Sequence, residues 1–137
     1  MSDARLETAR LLDLFQGAGA HRIEADILQP AGTLLDLYGE DIRARAYVTS
    51  DPLRGEQMLR PDFTVPVVQR HMAESAEPAR YTYAGVVFRS QEDDPTRASE
   101  YDQVGFEVFD RGDPALIEAE VFALFHKTLA PLNLTAA

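Results

Sequence analysis

The chain has 137 residues, 45% hydrophobic and 26% charged, so one compact domain burying roughly two thirds of its unfolded surface is expected over residues 1–137. It holds no cysteine, which excludes disulfides, thiolate zinc sites, iron–sulfur clusters and cysteine nucleophiles. Thirteen basic against 23 acidic residues leave a net charge of -10, the wrong sign for a surface that releases counterions along a nucleic acid. His21, His71 and His126 lie about fifty residues apart without ligand spacing, so structural or surface roles are expected and no metal is implied. The N-terminus from Met1 to Glu7 is polar, and no stretch approaches the roughly 18 apolar residues of a membrane span, so a cytoplasmic location is expected.

From Arg5 to Gln16, Leu6, Ala9, Leu12 and Phe15 recur at helical spacing, and Gly17 and Gly19 end the predicted helix. Arg22 to Leu28 alternates apolar and polar residues, which predicts one strand closing at Pro30. A short helix from Thr33 to Tyr38 follows, then two short strands at 47–49 and 57–60 around the turn at Asp51-Pro52. Thr64 to Met72 reads as a helix with Thr64 as N-cap and Pro66 in its first turn. Aromatic and β-branched residues mark strands at 81–89 and 103–109, joined by a polar loop and expected to pair antiparallel. Gly85 and Gly105 mark positions of close approach. Pro114 opens a last helix over 115–129, with Leu116, Ala119, Val121, Phe122 and Phe125 assigned to its buried side. This order predicts an α+β domain built on an antiparallel sheet flanked by helices.

By the period of two, Gln103, Gly105 and Glu107 share one face of the last strand, while Val104, Phe106 and Val108 share the other. Arg89 ends the preceding strand, so a guanidinium, an amide and a carboxylate converge on one sheet surface. That set suits a small zwitterion, with the guanidinium for carboxylate and the carboxylate for ammonium. A solvent-facing antiparallel strand carries the same polar pattern. Asp62 and Thr64 stand where a helix begins, which is equally the pattern of a helix cap. No phosphate-cradling glycine loop and no nucleophile arrangement is present.

The segment Arg60-Pro61-Asp62-Phe63-Thr64 resembles the Arg-Pro-Glu-x-Thr element of histidyl-tRNA synthetases. The hairpin from Tyr83 through Arg89, with Gln103, Gly105 and Glu107 on its second strand, resembles motif 2 of that class II family. Ile27-Leu28-Gln29-Pro30 and the helix after it resemble motif 1, which in the family builds the dimer interface and implies self-association there. The resemblance implies a histidine pocket. Asp62 takes the ammonium-binding acid, Thr64 its neighbouring hydroxyl, and Gln103 and Glu107 the other amino-acid contacts. Arg89 matches the motif 2 arginine, and Arg97 falls on the loop arginine, a candidate anion contact.

Three departures stand out. Gln91 replaces the adenine-reading acid of the synthetases, and Asp62 replaces a glutamate. From Ser90 to Asp102 five acids (Glu92, Asp93, Asp94, Glu100 and Asp102) face Arg97 alone, a loop that would repel ATP and tRNA. These features resemble the synthetase-like paralogues of histidine biosynthesis, the regulatory subunits of ATP phosphoribosyltransferase. The resemblance implies a non-catalytic protein with no cofactor. It implies a short-form ATP phosphoribosyltransferase catalytic subunit as partner and histidine as feedback effector. The alternative it implies is a fragment of a histidyl-tRNA synthetase that activates histidine with ATP. The family continues to a motif 3 beyond the residues present, so a half-pocket that binds histidine weakly and does not catalyse is expected.

Overall fold

A computed structural model describes residues 3–74 and 77–132; Met1 and Ser2 of the polar N-terminus lie outside the described residues. The elements run α1 (Asp3–Gly17), β1 (His21–Arg22), β2 (Leu28–Pro30), α2 (Ala31–Tyr38), α3 (Ile42–Arg45), β3 (Val48–Asp51) and β4 (Gly55–Leu59). Then come α4 (Thr64–Glu74), β5 (Ala79–Phe88), β6 (Glu100–Phe109), α5 (Pro114–Leu129) and a closing 3-10 turn at Ala130–Leu132. Among the described residues the strands form two three-stranded sheets, ordered β1-β5-β6 and β2-β4-β3.

The β5–β6 hairpin is antiparallel as expected, with Gly85 opposite Gln103, Tyr83 opposite Gly105 and Tyr81 opposite Glu107. Two expectations are corrected. The single strand expected over 22–28 is divided: β1 pairs parallel with β5, and β2 pairs antiparallel with β4 in the other sheet. The alternating pattern records which side chains point inward and says nothing about which neighbour supplies the hydrogen bonds. One pair in the main sheet is therefore parallel, and α3 is an added helical turn the pattern did not mark.

The helix ends follow local chemistry. Gly19 has φ +92 and its amide reaches the Gln16 carbonyl, while the Ala20 amide reaches that of Phe15, the two bonds of a Schellman cap. The Asp113 side chain accepts from the Ala115 amide at 2.9 Å, with Pro114 in the first turn of α5. Thr64 does not cap α4; Asp62 Oδ1 accepts the Thr64 amide at 3.0 Å instead.

One face of the hairpin carries Tyr81, Tyr83 and Val87, packed with Ile23 just after β1, Phe63 just before α4 and Val67 of α4. The other face carries Phe106, covered by Phe15 of α1 and Leu124 of α5. The buried side assigned to α5 is corrected here. Leu116 is 70% and Phe122 77% exposed, Ala119 and Phe125 are also exposed, and Leu124 and Thr128 are the buried residues. The helix is apolar around much of its girth, so composition does not choose the stripe that meets the sheet. Likewise only the second half of α1 docks, through Leu12 and Phe15. A further cluster joins α2 and α3 to β4 through Ala31, Leu34, Ile42, Ala46, Met58 and Val65. His71 is buried, stacked on Phe109 with centroids 3.9 Å apart and bonded to the Tyr81 hydroxyl, while His21 and His126 are exposed.

Candidate functional site

The loop after β4 and the start of α4 bring Asp62 and Thr64 up to the hairpin face that carries Tyr83 and Glu107. Tyr83 donates to Glu107 Oε1 at 3.2 Å across the hairpin, and the Thr64 hydroxyl also bonds that carboxylate. Tyr38, at the end of α2, places its hydroxyl 3.0 Å from both oxygens of Asp62. Asp62, Arg89, Tyr38, Pro61, Ile42 and Arg45 line a cleft of about 90 Å³. Arg89 is anchored by its Nε, which donates to the Pro61 carbonyl at 2.8 Å. Its Nη groups have no hydrogen-bond partner among the described residues, so they remain open to an anion. Gln103, directly opposite Gly85, holds a buried Oε1 that lacks a hydrogen-bond partner. A buried acceptor without a donor costs free energy, and an incoming N–H would offset that cost.

The structure therefore brings together Asp62, Thr64 and Glu107, with Arg89 in the adjoining cleft. Arg97 does not join them: it is exposed on the loop, where its amide closes a turn onto the Asp94 carbonyl. Gln91 donates to the Ala98 carbonyl at 3.1 Å, so its amide braces that loop. Both marked glycines are approached by the chain's own side chains. A Cβ at Gly105 would overlap the Tyr83 ring and hydroxyl, and one at Gly85 would lie 2.6 Å from Arg60 Nη2. Tyr83 stacks on Phe63 with centroids 4.5 Å apart, and Arg60 lies over Phe63 at 4.2 Å. Sequence reasoning missed Tyr38 and Tyr83 as partners of the two acids. For Tyr83 the signal was available, since strand pairing sets it opposite Gly105, where no side chain competes. For Tyr38 no local signal existed.

Burial pushes the Glu107 carboxyl above the ordinary glutamate range; the Thr64 and Tyr83 bonds pull it back in part, and the neighbouring Asp62 adds to the rise. A raised folded-state value means that this contribution to stability is complete below the ordinary glutamate pKa and is lost as pH rises through the raised one. Glu107→Gln is accordingly expected to melt a few degrees above the parent at neutral pH and to coincide with it near pH ~4. Thermal melts of both proteins at the two pH values check this, and equal melting at neutral pH would show that Glu107 carries no desolvation cost.

A profile described as histidyl-tRNA synthetase matches residues 2–137. Among curated proteins, an ATP phosphoribosyltransferase regulatory subunit of Allorhizobium ampelinum is 37% identical over 132 residues, covering 91% of this chain and 34% of its own. Another, of Rhizobium etli, is 39% identical over 118 residues, covering 85% of this chain and 30% of its own. The chain thus spans about a third of the length of these relatives. Among solved structures, an ATP phosphoribosyltransferase regulatory subunit/histidyl-tRNA synthetase from Bacillus halodurans aligns with TM-score 0.73 at 25% identity, over 98% of this chain and 37% of that one. A pyrrolysyl tRNA synthetase of Desulfitobacterium hafniense aligns with TM-score 0.74 at 14% identity, over 96% and 46%, a likeness of fold alone.

Proposed function

This chain belongs to the histidyl-tRNA synthetase family, and on that premise we propose that it is the histidine-sensing part of an ATP phosphoribosyltransferase regulatory subunit. Its fold is the α+β fold of class II synthetase catalytic domains. In this reading the chain supplies the N-terminal part of one such domain, which the resemblance of residues 27–30 to motif 1 and of the 83–109 hairpin to motif 2 supports. The observation that carries the reading is the pairing of two supported carboxylates, Asp62 and Glu107, with an open guanidinium at Arg89 and an unpartnered acceptor at Gln103. Asp62, beside Thr64, takes the ammonium, Arg89 the carboxylate, and Glu107 and Gln103 the ring nitrogens of histidine. The curated relatives at 37–39% identity bear the regulatory-subunit name, which supports this reading over an aminoacylating one. The acidic loop supports it too, because it repels a bound polyanion, and so does Gln91, which stands where the resemblance puts the adenine-reading acid. Arg97, exposed on that loop, is left as an isolated anion contact.

In this reading the chain contributes no catalytic group and works in the cytoplasm. It associates with the short-form catalytic subunit and with itself through β2 and α2, where Leu28 is 40% and Leu37 61% exposed. Histidine feedback then requires only that histidine bind one state of the assembly more tightly than the other. Reconstitution with a short-form catalytic subunit tests this: activity should rise on mixing and fall when histidine is added. Glu107→Ala should raise the histidine concentration for half-inhibition by about 30-fold or more while the fold persists. A normal response in that variant would remove Glu107 from the site. Histidine-dependent pyrophosphate exchange without activation would instead identify a synthetase fragment.

A further inference from the structure

We propose that Tyr38 is the positioning residue of the amino-group subsite, acting on the ligand through the Asp62 carboxylate; this rests on the histidine reading above. The carboxyl torsion of an aspartate is broad and weakly restrained, so its oxygens take a fixed direction only where hydrogen bonds hold them. Two groups do so here. The Thr64 amide donates to Oδ1 at 3.0 Å, and the Tyr38 hydroxyl lies 3.0 Å from Oδ1 and 3.0 Å from Oδ2. The amide alone would leave the group free to swing about one oxygen, whereas a donor straddling both oxygens sets the plane.

The hydroxyl is itself held. Tyr38 ends α2, and its ring packs against the cluster of Ala31, Leu34, Met58 and Val65, so the donor stands on a packed platform. An ionised carboxylate offers about four lone-pair directions, and these two donors leave positions for an ammonium. Burial and the Asp62 charge push the Tyr38 hydroxyl above its ordinary range, so it remains a donor at every physiological pH. Tyr38 and Asp62 are separated by 24 residues, and the contact ties the subsite to α2.

Tyr38→Phe removes the hydroxyl and keeps the ring. NMR titrations with L-histidine and with 3-(imidazol-4-yl)propionate, which has the ring and carboxylate without the amino group, separate the outcomes. The parent should prefer histidine. The variant should bind histidine about ten-fold more weakly and bind the deaminated analogue unchanged. In an Asp62→Asn background the same change should have no further effect on histidine, since the two residues act as one unit. Equal weakening of both ligands, or unchanged histidine affinity, would overturn the positioning role. A parent that does not distinguish the two ligands would overturn the histidine reading beneath it.

Discussion

Gly105→Ala is expected to destabilise the protein by about 3 kcal/mol, the upper end of what a misplaced methyl costs in a packed region. The added Cβ would overlap the ring and hydroxyl of Tyr83, which crosses β6 at this point. Tyr83 has little freedom to withdraw. It is buried, stacked face to face on Phe63 and bonded to Glu107. Relief must therefore come from the hairpin backbone or from loss of the stack, and either change also disturbs Glu107. The control is Gly17→Ala near the end of α1, where a Cβ meets nothing within 4 Å, so that the change should be neutral or mildly stabilising. Urea unfolding of the two variants makes the comparison. A Gly105→Ala midpoint equal to that of the parent would mean that Tyr83 does not lie across the strand.

The second large effect belongs to Arg60. This buried guanidinium donates from Nε to the Val86 carbonyl at 2.8 Å and from Nη1 to the Ala25 carbonyl, and it lies over the Phe63 ring. It therefore joins the hairpin, the segment between β1 and β2, and the start of α4. Arg60→Met leaves two carbonyls without donors and is expected to cost about 3 kcal/mol. Arg60→Lys should recover little, because an ammonium lacks the planar fork that reaches two carbonyls while stacking on a ring. Chemical denaturation of both variants checks this, and full recovery by lysine would show that charge alone matters at the position. Arg60 heads the motif that resembles the synthetase element, yet its contacts are structural and the site chemistry falls to Asp62 two residues on.

The hairpin was legible because its signals are local. Aromatic and β-branched residues mark β5 and β6, and the period of two places Gln103, Gly105 and Glu107 on one face before any partner is known. Pro114 and Gly19 likewise announce helix ends through nearest-neighbour chemistry. The candidate site was half legible. Asp62, Thr64, Arg89, Gln103 and Glu107 were picked out by chemistry and by resemblance, and the structure draws Asp62, Thr64 and Glu107 together with Arg89 beside them. Arg97 came from the resemblance alone, and the loop holds it in the exposed turn with Asp94.

By itself, the sequence determined the charge, the absence of thiol chemistry, the α+β element types and the chemistry carried by each face of the hairpin. These depend on side-chain type and on the two short periods of the backbone, which act over a few residues. The tertiary structure alone decided that the segment from Arg22 to Pro30 serves two sheets, and that Leu124 and Thr128 rather than Leu116 and Phe122 turn inward on α5. It also decided that Tyr38 reaches Asp62. Each of those outcomes joins residues remote in the chain, and packing of whole elements selects among faces and partners that local pattern leaves equivalent.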